Sequence, residues 1–180
     1  MSDHLHEKTL SSSYLYRGKI INVRQDRVEM TGKKVAFREI VEHPGAVAML
    51  AIDDSDNIIL VRQHRQPTGE VLLEIPAGKL EPGEEPLDCA RREMLEETGL
   101  EGAGWKELFS FYPSPGFCDE LIYLFRVEEL SESAAPAGDP DERIVIVRIP
   151  LTEAWDMINS GQIRDGKTII AIQHAVLANR

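Results

Sequence analysis

No run of apolar residues in this chain is long enough to cross a bilayer. The longest, Ala46 to Ile52, has seven residues, against the ~20 that a membrane helix needs. The opening stretch, MSDHLHEKTLSSS, lacks the apolar core of a signal peptide. Positive charge is also short. Twenty Lys and Arg against 31 Asp and Glu leave a formal net charge of −11, and an acidic surface repels nucleic-acid backbones and anionic membranes. Both are excluded as main partners, whereas a phosphorylated small molecule is not, provided a cation mediates. Cysteine occurs twice, at Cys89 and Cys118, with no CxxC spacing. A disulfide framework or a zinc site is therefore not expected, and both thiols read as small buried or half-buried hydrophobes. There is no internal repeat. These absences describe a soluble protein expected in the cytoplasm.

The remainder is ordinary globular material. Apolar residues make up 42% of the chain and charged residues 28%, and 180 residues suit one compact domain with a small extra lobe. Residues 14–30 and 33–43 read as strands around Thr31-Gly32. AVAMLAI and NIILVRQHR read as a strand pair across the turn formers DDSDN. EVLLEIPAG is a short strand, WKELFSFYP and LIYLFRVEEL are two more around SPGFCDE, and residues 131–142 form a small, polar loop before the strand RIVIVRI. TEAWDMINSG carries an N-cap signal at Thr152, and DGKTIIAIQHAVLAN has the apolar spacing of a closing helix. A shift in composition near residues 43–46 sets an antiparallel lobe, residues 1–43, apart from the main body, residues 44–180. The fold class is α+β.

The segment GKLEPGEEPLDCARREMLEETGL, Gly78 to Leu100, is crowded with acid. Pro86 suits a first helical turn and Gly99 a left-handed stop, so a helix is predicted from about 86 to 98. Leu87, Ala90 and Met94 share one stripe that can face a core. Glu93, Glu96 and Glu97 fall together on another flank. Two readings are open on spacing alone. One is a solvated acidic face. The other is a site for a hard divalent cation, since negative charge in the last turn opposes the helix dipole and oxygen ligands suit Mg²⁺.

Gly78, five residues, Glu84, seven residues, then Arg92-Glu93-Met94-Leu95-Glu96-Glu97-Thr98-Gly99-Leu100 resembles the full Nudix box, with every fixed position met. The resemblance implies an α/β/α sandwich around a mixed sheet, and an enzyme that hydrolyses a nucleoside diphosphate linked to another moiety. It implies Mg²⁺, with Mn²⁺ as a substitute, held by Glu93, Glu96, Glu97 and the carbonyl of Ala77. Glu84 and Arg92 match positions that pair to brace loop against helix. The segments FYPSPGFCDE, VRQHRQPTGEVLLEIPAG and EAWDMINSGQIRDGKTIIAIQ are similar to the ADP-ribose pyrophosphatase subfamily, Pro115 falling at the subfamily's distance past the box.

That likeness places Arg65 near a substrate phosphate, Pro115 at the substrate, and Glu120 near the sugar hydroxyls. It gives Glu142, in the polar loop, the role of activating the attacking water, alongside Glu93 and Glu97 as catalytic carboxylates. The five histidines have no ligand spacing and read as structural or exposed. Relatives of this kind are homodimers that share the N-terminal lobe, and Tyr14, Leu15, Ile20, Ile21, Val28 and Phe37 read as apolar positions there that one hairpin cannot bury. The expected reaction splits ADP-ribose into AMP and ribose 5-phosphate. A hydrolase of another nucleoside diphosphate sugar, such as a GDP-hexose, is the alternative. A non-catalytic ADP-ribose-binding module is a third reading, disfavoured by the intact set of box carboxylates.

Overall fold

The computed structural model describes residues 5–133 and 143–178. They form ten strands and three helices in two compact units. The first holds the described residues up to Gly45 together with Tyr112–Leu121, and the second holds Ala46–Phe111 and the described residues from Ile122 onward.

The first unit is an antiparallel sheet of β1 (Lys8–Arg17), β2 (Asn22–Met30) and β3 (Lys34–Glu42) in that order. The reading of residues 14–30 as one strand is corrected: the chain turns at residues 18–21, where the Gly18 N–H bonds the Ile21 carbonyl at 2.9 Å. A side chain at Gly18 would meet that carbonyl and the Tyr16 ring, so the corner requires glycine. All of β1 is exposed. Tyr14, Leu15, Ile20 and Phe37 are exposed as read, while Val28 is buried and Ile21 half-buried. Residues of the second segment bond beside the end of β3. Val41 N–H donates to the Phe117 carbonyl and Asp119 N–H to the Val41 carbonyl, which leaves Cys118 half-buried and free.

In the second unit, β4 (Ala46–Ala51) lies in a mixed sheet with β7 (Ala77–Lys79), β9 (Ile122–Glu132) and β8 (Leu100–Phe111), in the order β7-β4-β9-β8. Only the β4–β9 pair is parallel. A second, antiparallel sheet has the order β10-β5-β6, from β10 (Val145–Pro150), β5 (Asn57–Arg65) and β6 (Glu70–Glu74). Every residue of β4 is buried, and its faces divide the core. Ala46, Ala48 and Leu50 join α2 (Leu151–Asn159) and α3 (Gly166–Ala178), while Val47, Met49 and Ala51 join α1 (Pro86–Thr98). Helices on both faces require strands that are apolar on both sides, which is why AVAMLA shows no alternation. This is the expected α/β/α sandwich.

The expected β4–β5 pairing is corrected. Both edges of β4 are taken by β7 and β9, and only the bridge Ile52–Ile58 joins the two strands. Asp53 accepts the Ser55 and Asn57 N–H groups and Asp56 is left-handed, so the chain swings away after one contact. EVLLEIPAG is two strands rather than one, changing sheets at the buried Ile75-Pro76. Thr152 is not the cap of α2. The helix starts at Leu151, whose N–H is taken by the Asp56 carbonyl. The strand β9 continues through Glu132, past the expected start of the loop at 131. No helix among the described residues is long and apolar enough to cross a membrane.

Candidate active site

The helix α1 spans Pro86–Thr98, as its punctuation predicts. Pro86 stands in the first turn, and left-handed Gly99 donates its N–H to the Leu95 carbonyl at 2.8 Å. No basic residue lies in the last turn, so the dipole gives the late glutamates no relief. Cys89, Ala90 and Met94 face the core. Burial, and then the neighbouring Glu84, push the Cys89 thiol up to about 12, so it is neutral and inert.

Arg92 supplies the countercharge. It grips Glu84 with two bonds, Nε to Oε1 at 2.9 Å and Nη2 to Oε2 at 3.0 Å. Its Nη1 donates to Glu93 Oε1 at 2.8 Å and Glu96 Oε2 at 3.0 Å. Glu84 also accepts the Glu81 N–H. The Arg92 bonds, then this backbone bond, hold its carboxyl down at about 2. The expected brace of Glu84 and Arg92 is thus present, and the same guanidinium reaches two of the three flank carboxylates. Among the described residues no three His, Cys, Asp or Glu side chains converge closely enough to hold a metal ion.

The third carboxylate is turned elsewhere. Glu97 is 8% exposed, and its Oε2 accepts the Ala77 N–H at 2.9 Å. Glu93 lies over the backbone of Gly78, where an added Cβ would stand 1.8 Å from the Glu93 carboxyl carbon. So the short strand β7 bears on both glutamates: Ala77 ties one, and the missing side chain of Gly78 makes room for the other. A donor set of carboxylates and a backbone carbonyl, with no sulfur or imidazole, fits a hard divalent ion such as Mg²⁺. The bare backbone at Gly78 is what lets the Glu93 carboxylate lie there, among those donors.

Arg65, at the end of β5, is held by a residue the sequence analysis did not single out. Its Nε and Nη2 donate to the two oxygens of Glu74 at 2.7 and 2.8 Å, and the charges of Glu74, Glu97 and Asp165 all act on it. Glu74 is 1% exposed. Burial opposes its charge, but Arg65 and then Lys167 outweigh that and lower it to about 2. Lys167 binds both Glu74 and, at 3.1 Å, Asp165. Glu74 was legible as a lone acid inside the apolar run VLLEIP. The start of α3 was legible as an Asp165 cap, since the Thr168 N–H bonds Asp165 Oδ2 at 3.0 Å.

Pro115 and Glu120 belong to the first unit. Pro115 is exposed in a turn where the Ser114 carbonyl accepts the Phe117 and Cys118 N–H groups. Glu120 Oε1 lies 3.7 Å from His43 Nδ1, which also accepts the Gly45 N–H at 3.2 Å. His174 packs edge-on against Phe109. Glu142 lies outside the described residues.

A family profile described as NUDIX domain matches residues 42–171, and one described as nucleoside diphosphate sugar hydrolase N-terminal domain matches residues 7–41. The chain is 42% identical over 96% of its length to an ADP-ribose pyrophosphatase of Bacillus subtilis, covering 94% of that protein. It is 42% identical over 98% to a methanol dehydrogenase activator of Bacillus methanolicus, covering 96% of it. With a GDP-mannose pyrophosphatase of Citrobacter koseri it shares 34% over 94% of this chain and 92% of that one. Among solved structures, a chain described as an ADP compounds hydrolase has a similar fold. The TM-score is 0.81 at 22% identity, over 92% of this chain and 90% of that one.

Two outcomes test this geometry. Gly78→Ala should displace the end of the Glu93 side chain, so turnover should fall roughly 100-fold, as for small misplacements of catalytic groups. The melting temperature should move by only a few degrees, because the clash is with a flexible tip. Kinetics beside thermal melting checks it. Glu74, lowered from 4.5 to about 2, should contribute stability fully present above pH 4.5 and lost as pH falls toward 2. Denaturation of Glu74→Gln should show a loss of about 3–5 kcal/mol at neutral pH, from two cations left without their buried partner. The same variant should have a flatter acid limb than the parent.

Proposed function

Because the chain belongs to the Nudix family, we propose that it is a Mg²⁺-dependent hydrolase that cleaves the pyrophosphate of ADP-ribose to AMP and ribose 5-phosphate. The observation that carries this reading is β7 beneath the box helix, with Glu97 fixed on the Ala77 N–H and Glu93 laid over Gly78. The full-length likeness to an ADP-ribose pyrophosphatase supports the substrate. Glu93, Glu96, Glu97 and the Ala77 carbonyl would hold the metal, which when bound withdraws charge from the pyrophosphate and acidifies a water.

The chain's own residues do the rest. Arg65, preset in one plane by Glu74, offers a guanidinium to a phosphate oxygen. Arg92, shared among Glu84, Glu93 and Glu96, orients those two flank carboxylates before substrate arrives. Glu142 takes the proton of the attacking water. The oxygen of that water adds in line to one phosphorus as the bridging P–O bond breaks, and each product leaves with one phosphate. Glu120 and Pro115 are assigned to the sugar and its surroundings. The cytoplasm is the proposed location.

A second reading, hydrolysis of a GDP-hexose, is favoured by the relative named a GDP-mannose pyrophosphatase. A panel of nucleoside diphosphate sugars with Mg²⁺, assayed by phosphate release after phosphatase coupling, separates the two. ADP-ribose should give the highest kcat/KM, and a higher value for GDP-mannose would replace the first reading with the second. Glu97→Gln should lower turnover on the best substrate by two orders of magnitude or more while the fold persists. Near-parental turnover at saturating Mg²⁺ would remove Glu97 from the site.

The N-terminal sheet is assigned to a homodimer. Leu15, Tyr16, Ile20 and Phe37 are each more than half exposed on it, and such a surface calls for a partner. Sedimentation at micromolar concentration should give twice the chain mass of 20.2 kDa, and a clean species at the single-chain mass would refute the assignment.

A further inference from the structure

The first turn of α3 touches the segment that feeds the box helix at two consecutive residues. Lys167 binds Glu74, and the Thr168 hydroxyl accepts the Ile75 N–H at 2.8 Å. Thr168 is fully buried. Its hydroxyl donates in turn to Asp165 Oδ2 at 2.6 Å, so it is oriented from both sides. The Pro76 carbonyl, next along, accepts the Met49 N–H of β4 at 2.9 Å. One residue later the Ala77 N–H donates to Glu97. Ile75 has left β6 and has not yet entered β7, so no sheet ladder partner holds its N–H. The hydroxyl of a residue 93 positions away does so instead.

We propose that Thr168 is a positioning residue for the box: by fixing Ile75 it sets the path of the chain through Pro76 to Ala77, and so the place of the Glu97 carboxylate that Ala77 holds. The inference rests on the reading of Glu97 as a metal ligand. It concerns a residue outside the box that touches neither metal nor substrate. Supporting partners of this kind alter metal affinity or activity by about 10–100-fold when removed.

The test is binding of Mn²⁺ alone, read by electron paramagnetic resonance without substrate, on the full chain and four variants. Thr168→Val keeps the shape and removes the hydroxyl, and should weaken Mn²⁺ roughly tenfold or more. Thr168→Ser keeps the hydroxyl and should recover most of that loss. A merely structural hydroxyl would lower the melting temperature of Thr168→Val and leave its Mn²⁺ affinity within twofold of the parent, which overturns the proposal. If Thr168→Val does not fold, Asp165→Ala, which removes the acceptor that orients the hydroxyl, carries the test. At least a threefold weakening supports the proposal, and unchanged affinity overturns it. Glu97→Gln is the reference. If it too binds Mn²⁺ as the parent does, the metal-site reading falls and the proposal with it. If Glu97→Gln weakens Mn²⁺ and Thr168→Val does not, the positioning role alone is lost.

Discussion

Arg92 reaches Glu84, Glu93 and Glu96 at once, and the acidic helix depends on that reach. Like charges one turn apart on a helix each cost a few tenths of a kcal/mol, and here the last turn carries no base to offset them. One planar fork, with five donors in fixed directions, satisfies three carboxylates at once, its two bonds to Glu84 being bidentate. The guanidinium thus offsets part of the repulsion along the helix by bonding three of its neighbouring acids. Glu97 takes a backbone bond, from the Ala77 N–H. The two arrangements differ in kind. A carboxylate on a guanidinium can be drawn off by a stronger cation at modest cost, whereas one on an N–H in a strand is fixed as firmly as the strand.

The part of this that could be read from the chain was the part written locally. Pro86, the stripe of Ala90 and Met94, and Gly99 mark the helix within about four turns of sequence, and the helix lies where they place it. The pairing of Glu84 with Arg92 was legible because both fall in one motif. The pairing of β4 with β5 was misread for a physical reason. A strand buried on both faces has no alternation to say which edge meets which neighbour, and adjacency in sequence was the only guide left. The corner at Gly18 was missed because Ile20 and Ile21 continue the apolar pattern of a strand straight through it.

The pairings behind the site were not legible. Glu74 and Lys167 are 93 residues apart, as are Ile75 and Thr168, and no periodicity connects them. What the sequence did carry was the anomaly of one acid in VLLEIP, which a buried location turns into a demand for partners. One helical turn supplies both a cation for that acid, Lys167, and an acceptor for the left-over Ile75 N–H, Thr168. The candidate site is thus a local motif, readable in a line, set on a non-local foundation that is not.

The change of sheet at Ile75-Pro76 has a consequence for how such a chain can vary in length. Glu74 must point at Arg65 and Lys167, Ile75 at Thr168, Ala77 at Glu97, and Gly78 must lie under Glu93. Four of these five consecutive positions are tied to residues of β5, α3 or α1, and a strand inverts its faces with every residue added. An insertion or deletion of even one residue there would hand each neighbour the wrong group. The spacing between the end of one sheet and the start of the other is in effect a ruler, and length differences have to be taken up elsewhere, in turns such as Asp53–Asn57 that are closed by their own side chains.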